Sequence, residues 1–188
     1  YASREIMRMA DIVRGMISDS LRVFEKNDLE LIEDIHARDD HVDILNREVK
    51  FYLAKISQHQ MDDDMTTRAL SLVTISSDLE QIGDIIGKNI LELAEKKIEK
   101  KRIFSREGFA EIQTFYEEVI KNFDMAIIVF STRDENLARK ILRNKVKIKS
   151  LLSEFRLHHF ERLQQGFKES LATSSIHLEL LINLTGIN

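Results

Sequence analysis

The chain has no proline, no cysteine and no tryptophan, and only 6 glycines among 188 residues. Without proline, nothing in the sequence forbids long uninterrupted helices. Without cysteine there is neither a disulfide nor a thiolate ligand, so any metal must be held by carboxylates and imidazoles. Long apolar runs are also missing. The longest, Met125 to Phe130, falls far short of the ~20 residues that a membrane-spanning helix needs. No signal-peptide pattern opens the chain, and no glycine-rich phosphate loop occurs in it. The net charge of −4 is mild, which argues against a nucleic-acid binder. A charged fraction of 32% with a hydrophobic fraction of 43% suits a soluble helical protein. The sequence opens on Tyr1 and closes on Asn188 without a tail, so it reads as a C-terminally truncated fragment of a longer protein.

What the chain does have is organised around Ser76 to Glu95. Leu72, Ile75, Leu79, Ile82, Ile86 and Leu93 recur at steps of three, four and seven, the apolar face of a long amphipathic helix. Beside this stripe run Ser76, Glu80, Gly83, Asp84 and Gly87. Like charges at i and i+4 cost a helix a few tenths of a kcal/mol, and each interior glycine costs roughly 1 kcal/mol. Both costs make sense if another backbone, or an ion, has to come close.

The same periodicity predicts six long helices and an all-α fold. The first spans about Ser3 to Glu25 and the second about Leu29 to Gln58, capped by Asp28. A connection from Gln60 to Thr66 carries the helix-start signal Asp62-Asp63-Asp64, and the third helix spans about Met65 to Lys97. Lys96 to Arg102 reads as a solvated helix end and linker, with a patch for anionic lipid or phosphate as the alternative. The fourth helix starts at Ser105, with Phe109, Ile112, Phe115 or Tyr116, Val119, Phe123 and Ile127 inward. The fifth runs from about Arg133 to Gln165, with Thr132 as its expected cap, and Gly166 ends it. The sixth runs from about Phe167 to the end. The six methionines read as core.

The order of helix, longer helix, long helix is written twice. Ser76-Ser77-Asp78-Leu79-Glu80 matches the Ser174 to Glu179 stretch, and Asp39 to Leu45 aligns with Lys145 to Leu151. A period of roughly 100 residues implies duplication. The expected organisation is two tandem three-helix bundles, residues 1–100 and 101–188, packed side by side around one core.

Antiparallel packing of the second and third helices brings Asp39 and Asp43 opposite Glu80 and Asp84. Four carboxylates cannot all stay ionised in one half-buried site. Their pKa values must rise, a basic partner must reach them, or a cation must bind. Oxygen-rich clusters suit hard or borderline ions such as magnesium, manganese or iron, and zinc is also considered. His36 and His41 are near enough to be extra ligands. The competing reading is that these acids are solvated, or pair with Lys and Arg of the first helix. In the second repeat Lys145 and Lys149 align with Asp39 and Asp43, while Glu179 and Asn183 align with Glu80 and Asp84. The expectation there is no metal, with Lys145 or Lys149 paired to Glu179 in a buried ion pair. His158, His159 and His177 have no Ser or Cys partner at helical spacing, and read as structural.

At these residues a family resemblance appears. DLEQIGDIIGKNILELAE resembles the signature of PhoU-type proteins, and the preceding DxxxD of Asp39 and Asp43 fits it. HHFERLQQG followed by SSIHLELLINLTGIN is similar to the PhoU-like domain appended to bacterial sodium/phosphate cotransporters. The resemblance covers the whole chain. It implies a PhoU-like fold of two three-helix bundles on the cytoplasmic side of the inner membrane, following a membrane transporter domain of the same chain. It also implies a non-enzymatic role in modulating phosphate uptake, and metal binding that carries over to Asp39, Asp43, Glu80 and Asp84 only. The expected partners are that transporter domain and a second copy of the chain, with no nucleic acid. Two other readings stay open. One is a free-standing PhoU-type regulator of phosphate transport and signalling. The other is a carboxylate-bridged di-metal helical-bundle enzyme, which needs Glu-x-x-His pairs; Glu33 with His36 is the nearest approach.

Overall fold

A computed structural model describes residues 1–58 and 61–188, and the described residues are helical with no strand. Helix α1 (Ala2–Lys26) buries Ile6, Met9, Val13, Met16, Ile17 and Val23, and stops where Asn27 turns into the left-handed region at φ 55°. Asp28 then accepts the Leu31 N–H at 3.1 Å and starts α2 (Leu29–Ile56). The expected connection begins at Gln60, which lies outside the described residues. Asp62 accepts the Met65 N–H at 2.7 Å and starts α3 (Asp63–Asp84).

The third helix is longer than expected and is not uniform. After Asp84 it widens into a π-helical turn over Ile85–Ile90, then resumes as α4 (Leu91–Glu99). Such turns sit inside α-helices, frequently at functional sites. This one falls where Gly87 approaches the second helix.

Ser105 caps α5 (Arg106–Thr132) through the Gly108 N–H at 3.2 Å. The cap of α6 (Glu135–Gln164) is Asp134, which accepts the N–H groups of Asn136 and Leu137. Thr132, the expected cap, instead donates its hydroxyl to the Ile128 carbonyl, because Arg133 at φ 58° separates the two helices first. Gly166 at φ 78° ends the following turn. The expected sixth helix is two pieces, α7 (Lys168–Ala172) and α8 (Ser174–Ile187), broken at Thr173.

One hydrophobic cluster runs through α1, α2, the third helix, α5, α6 and α8. Helix α1 lies between α2, α3 and α5, while α8 packs on α5, α6 and the π turn. Polar contacts pin the two halves together. Ser20 meets the buried Tyr116 hydroxyl at 3.0 Å, Arg14 holds Asp124 at 2.9 and 3.1 Å, and Asn89 donates to Asn183 at 3.0 Å. Of the methionines, Met9, Met16 and Met125 are core, but Met65 is exposed.

The charge run that ends α4 is only partly solvated. Lys97 is 5% exposed. Its ammonium donates to the Phe24 carbonyl at 3.1 Å and to Asn27 Oδ1 at 2.7 Å, and it lies over the Phe104 ring. A cation at the open carbonyl end of α1 is a favourable placement, although burial lowers the Lys97 pKa. Lys97→Met keeps the bulk and leaves both acceptors unpaired, so it should cost about 1–3 kcal/mol in urea unfolding. An unchanged midpoint would show that α1 ends without this lysine's help.

Candidate metal centre

Helix α2 delivers Asp39 to the centre of the third helix, and two glycines let it in. A Cβ on Gly83 would lie 2.5 Å from Asp39 Oδ1, and one on Gly87 would lie 2.6 Å from Oδ2. Any side chain at either position would have to push the carboxylate away. The two glycines thus shape a slot for one acidic group.

Asp39 is 9% exposed, and its Oδ1 has no hydrogen-bond partner. Burial, then the neighbouring Asp43 and Asp84, raise its pKa to about 6, with Lys88 pulling the other way. Beside it, carboxylate oxygens of Asp43, Glu80 and Asp84 all lie within 4.8 Å of one another. All three are half-buried, and Asp43 Oδ1 is also without a partner. Three of the four acids expected from the sequence therefore converge, Asp43, Glu80 and Asp84, while Asp39 lies buried beside them between Gly83 and Gly87, close enough for Asp43 and Asp84 to raise its pKa. His41 is half-buried and His36 exposed, and neither joins the group of converging ligand atoms.

The competing reading placed a basic residue of the first helix on these acids. The cation actually present is Lys88, from the π turn itself, paired to Asp84. Its side chain is 66% exposed, so it can swing into water at little cost. Arg38 on α2 is committed elsewhere, to Asp19 and Asp34. The donor set fits a divalent cation: three converging carboxylates with Asp39 buried beside them, and two buried oxygens, Asp39 Oδ1 and Asp43 Oδ1, without partners. Bound there, a divalent ion would supply positive charge to all of these acids, where Lys88 forms an ion pair with Asp84 alone.

The second half is built differently, and the expected pair of Lys145 or Lys149 with Glu179 is absent. All three residues are exposed, and among the described residues none makes an ion pair. The reason is register. Ser76 donates to Asn46, whereas its counterpart Ser174 meets His159 at 2.8 Å. Counted from His159 as Asp43 and Asp39 are counted from Asn46, the matching positions are Arg156 and Leu152. Counted from Ser174 as Glu80 and Asp84 are from Ser76, they are Leu178 and Ile182. No carboxylate remains to hold a cation.

A different polar cluster lies nearby. Arg162 grips Glu111 with two bonds at 2.9 and 2.7 Å, His158 adds a third at 3.1 Å, and His177 Nε2 lies 3.5 Å away. Burial works against ionising Glu111, but the nearby His177 and the bonds from Arg162 and His158 outweigh it and hold the carboxyl at about 2. His159 stacks on His177 with centroids 4.8 Å apart. The missed signal was the i, i+4 spacing of His158 and Arg162, which puts both on one face, toward a lone glutamate on the preceding helix. The Ser174 partner of His159 went unseen because it sits across a helix break. Both histidines are only 1% exposed, which suits a structural role.

Residues 6–94 match the PhoU domain. Over 187 residues the chain is 29% identical to proteins named "Putative inorganic phosphate export protein YjbB" from Escherichia coli K12 and Salmonella typhimurium, covering 100% of this chain but 34% of theirs. The chain thus spans about a third of the length of these relatives. A PhoU homologue of Aquifex aeolicus, named a phosphate-specific transport system accessory protein, is 25% identical over 160 residues, 84% of this chain and 68% of that one. The crystal structure of PhoU from Pseudomonas aeruginosa superposes with a TM-score of 0.88 at 18% identity, covering 99% of this chain and 88% of that one. PhoU from Streptococcus pneumoniae gives 0.84 at 14%, with 99% and 86% covered.

The histidine cluster gives the second half an acid sensitivity of known sign. Burial, with His177 and Arg162 close by, holds the His159 pKa down to about 4. The unfolded chain therefore takes up a proton first. Stability is complete above about pH 6.5 and is lost as pH falls toward 4. Glu111 loses its own contribution only below about pH 4.5. Asp39, whose raised pKa stabilises the fold over the same window, is removed from the comparison by working in Asp39→Asn. In that background the urea midpoint should fall between pH 7 and 5, and adding His159→Gln should lessen the fall, since glutamine does not titrate. Equal falls in both would contradict this account.

Proposed function

Taking the chain as PhoU-like, we propose that it is the non-enzymatic regulatory domain of an inorganic phosphate transporter, with a divalent-cation site at Asp39, Asp43, Glu80 and Asp84. The observation that carries the reading is the convergence of the Asp43, Glu80 and Asp84 carboxylates beside Asp39, which sits between Gly83 and Gly87, with buried oxygens of Asp39 and Asp43 left without partners. In this reading the domain works on the cytoplasmic side of the inner membrane and its partner is the transporter portion of the same longer protein. The support is that relatives matched over the entire chain are about three times as long and are named for phosphate export. That name points to phosphate leaving the cell, where the sequence reading expected uptake. No helix among the described residues is long and apolar enough to cross a membrane, so the transport path would belong to the rest of such a protein.

The cation would act through the third helix. Its four ligands would come from both sides of the α2–α3 contact, and two of them, Glu80 and Asp84, lie just before the π turn. Occupancy would fix α2 against that turn, which in turn packs on α8 of the second half. Lys88 would be released from Asp84 as the ion arrives. A di-metal oxygen-activating centre is disfavoured, because the cluster is carboxylate only and contains no Glu-x-x-His pair.

Metal content separates these readings. After equilibration with Mn²⁺ and dialysis, Glu80→Gln should lose most bound metal, and Glu179→Gln should match the parent. Equal loss in both variants would remove the asymmetry between the two halves. Absence of metal from the parent would remove the site.

A further inference from the structure

Helix α6 carries a second amphipathic face that points away from the protein. Between Glu135 and Lys149 it has six basic residues, Arg139, Lys140, Arg143, Lys145, Lys147 and Lys149, against one acid. This is a concentrated positive field on a chain whose net charge is −4. All six are exposed, and of them only Lys147, to Glu118, and Arg139, to Glu135, make ion pairs among the described residues. Along the centre of the same face, four and then eleven and three residues apart, run Leu142, Val146, Leu157 and Phe160. They are 64%, 67%, 59% and 57% exposed. The inward side of this stretch buries only Ile148 fully, so α6 keeps large apolar groups in water while charged residues flank them.

We propose that this outer face of α6 lies on an anionic lipid bilayer, with Leu142 and Val146 entering the headgroup boundary and the flanking Lys and Arg meeting lipid phosphates. A basic helix with an apolar stripe is the pattern that binds in the plane of a membrane surface. Charge complementarity favours this occupant over a second copy of the chain. Packed in parallel, two such helices would set basic rows against each other. Packed antiparallel, the row would meet the stretch from Ser150 to Gln164, which has two Arg and two Glu and is electrically neutral. The exposed leucine and valine favour lipid over nucleic acid, whose phosphates would leave them unused. The inference rests on α6 alone and stands or falls separately from the cation site.

Flotation with vesicles of phosphatidylcholine containing 30% phosphatidylglycerol, compared with pure phosphatidylcholine, tests it. The 188-residue chain should float with the anionic vesicles, less so as salt rises, and stay behind with the neutral ones. Neutralising two basic residues, Arg143→Gln with Lys149→Gln, should weaken partitioning roughly thirtyfold, from about 1 kcal/mol per charge at such a surface. Leu142→Gln with Val146→Gln should weaken it as well, whereas Lys100→Gln with Lys101→Gln, in the other basic run, should not. All of these positions are exposed, so circular dichroism should show intact helices. Equal binding to neutral vesicles, or anionic binding indifferent to the α6 changes, would overturn the proposal. So would binding to duplex DNA at the same salt that ignores Leu142 and Val146.

Discussion

The contact on which the first half depends is the entry of one carboxylate into a helix–helix interface. Asp39 stands on the buried stripe of α2, between Ile35 and Val42, where a leucine would pack without cost. Gly83 and Gly87 give it room, at a price in helix stability, and nothing in the protein bonds to its Oδ1. Glycines in a helix, a π turn, like charges one turn apart and an unpartnered buried oxygen are each unfavourable alone. Together they share one compensation, a cation placed among the four acids. Local rules broken at one place with no internal repayment are the mark of a functional site.

The second half reaches the same architecture without that compensation. Its core polar group, Glu111, is answered within the protein by Arg162, His158 and His177. This cluster needs no ion, and the positions equivalent to the four acids are Arg156, Leu152, Leu178 and Ile182. The two halves therefore differ inside: the first gathers carboxylates, and the second holds one carboxylate, Glu111, with Arg162 and His158. Because α8 packs against the π turn, the self-contained half forms a fixed wall behind the ligand-dependent one.

Much of this was legible in the residues. The 3.6-residue periodicity located every long helix, and Asp28, Asp62 and Ser105 served as caps where the sequence placed them. Asp43, Glu80 and Asp84 converge with Asp39 beside them because both DxxxD and ExxxD spacings put pairs on one face, and a short connection sets the faces opposite. What was not legible depends on register. Aligning Lys145 and Lys149 with the acids of the second helix predicted a buried pair with Glu179, and all three residues are exposed instead. The π turn, the burial of Lys97 and the break at Thr173 arise from tertiary contacts that leave no periodic trace. The outward apolar stripe of α6 was hidden for the same reason: periodicity marks two faces of a helix, and packing alone decides which one is covered.

The most direct measurement compares thermal midpoints of the parent and Asp39→Asn, each with chelator and with saturating Mn²⁺. Without metal, the variant removes an uncompensated buried charge and should melt higher. A gain of about 1–3 kcal/mol corresponds to several degrees in a chain of this size. With Mn²⁺, the parent should rise with metal concentration and overtake the variant, whose own midpoint should move little. Such an inversion is what a site kept unstable for its ion must show. Asp39→Asn melting lower than the parent in chelator, with both indifferent to Mn²⁺, would contradict the account: the carboxylate would then be part of the framework, and the glycine slot would serve packing alone.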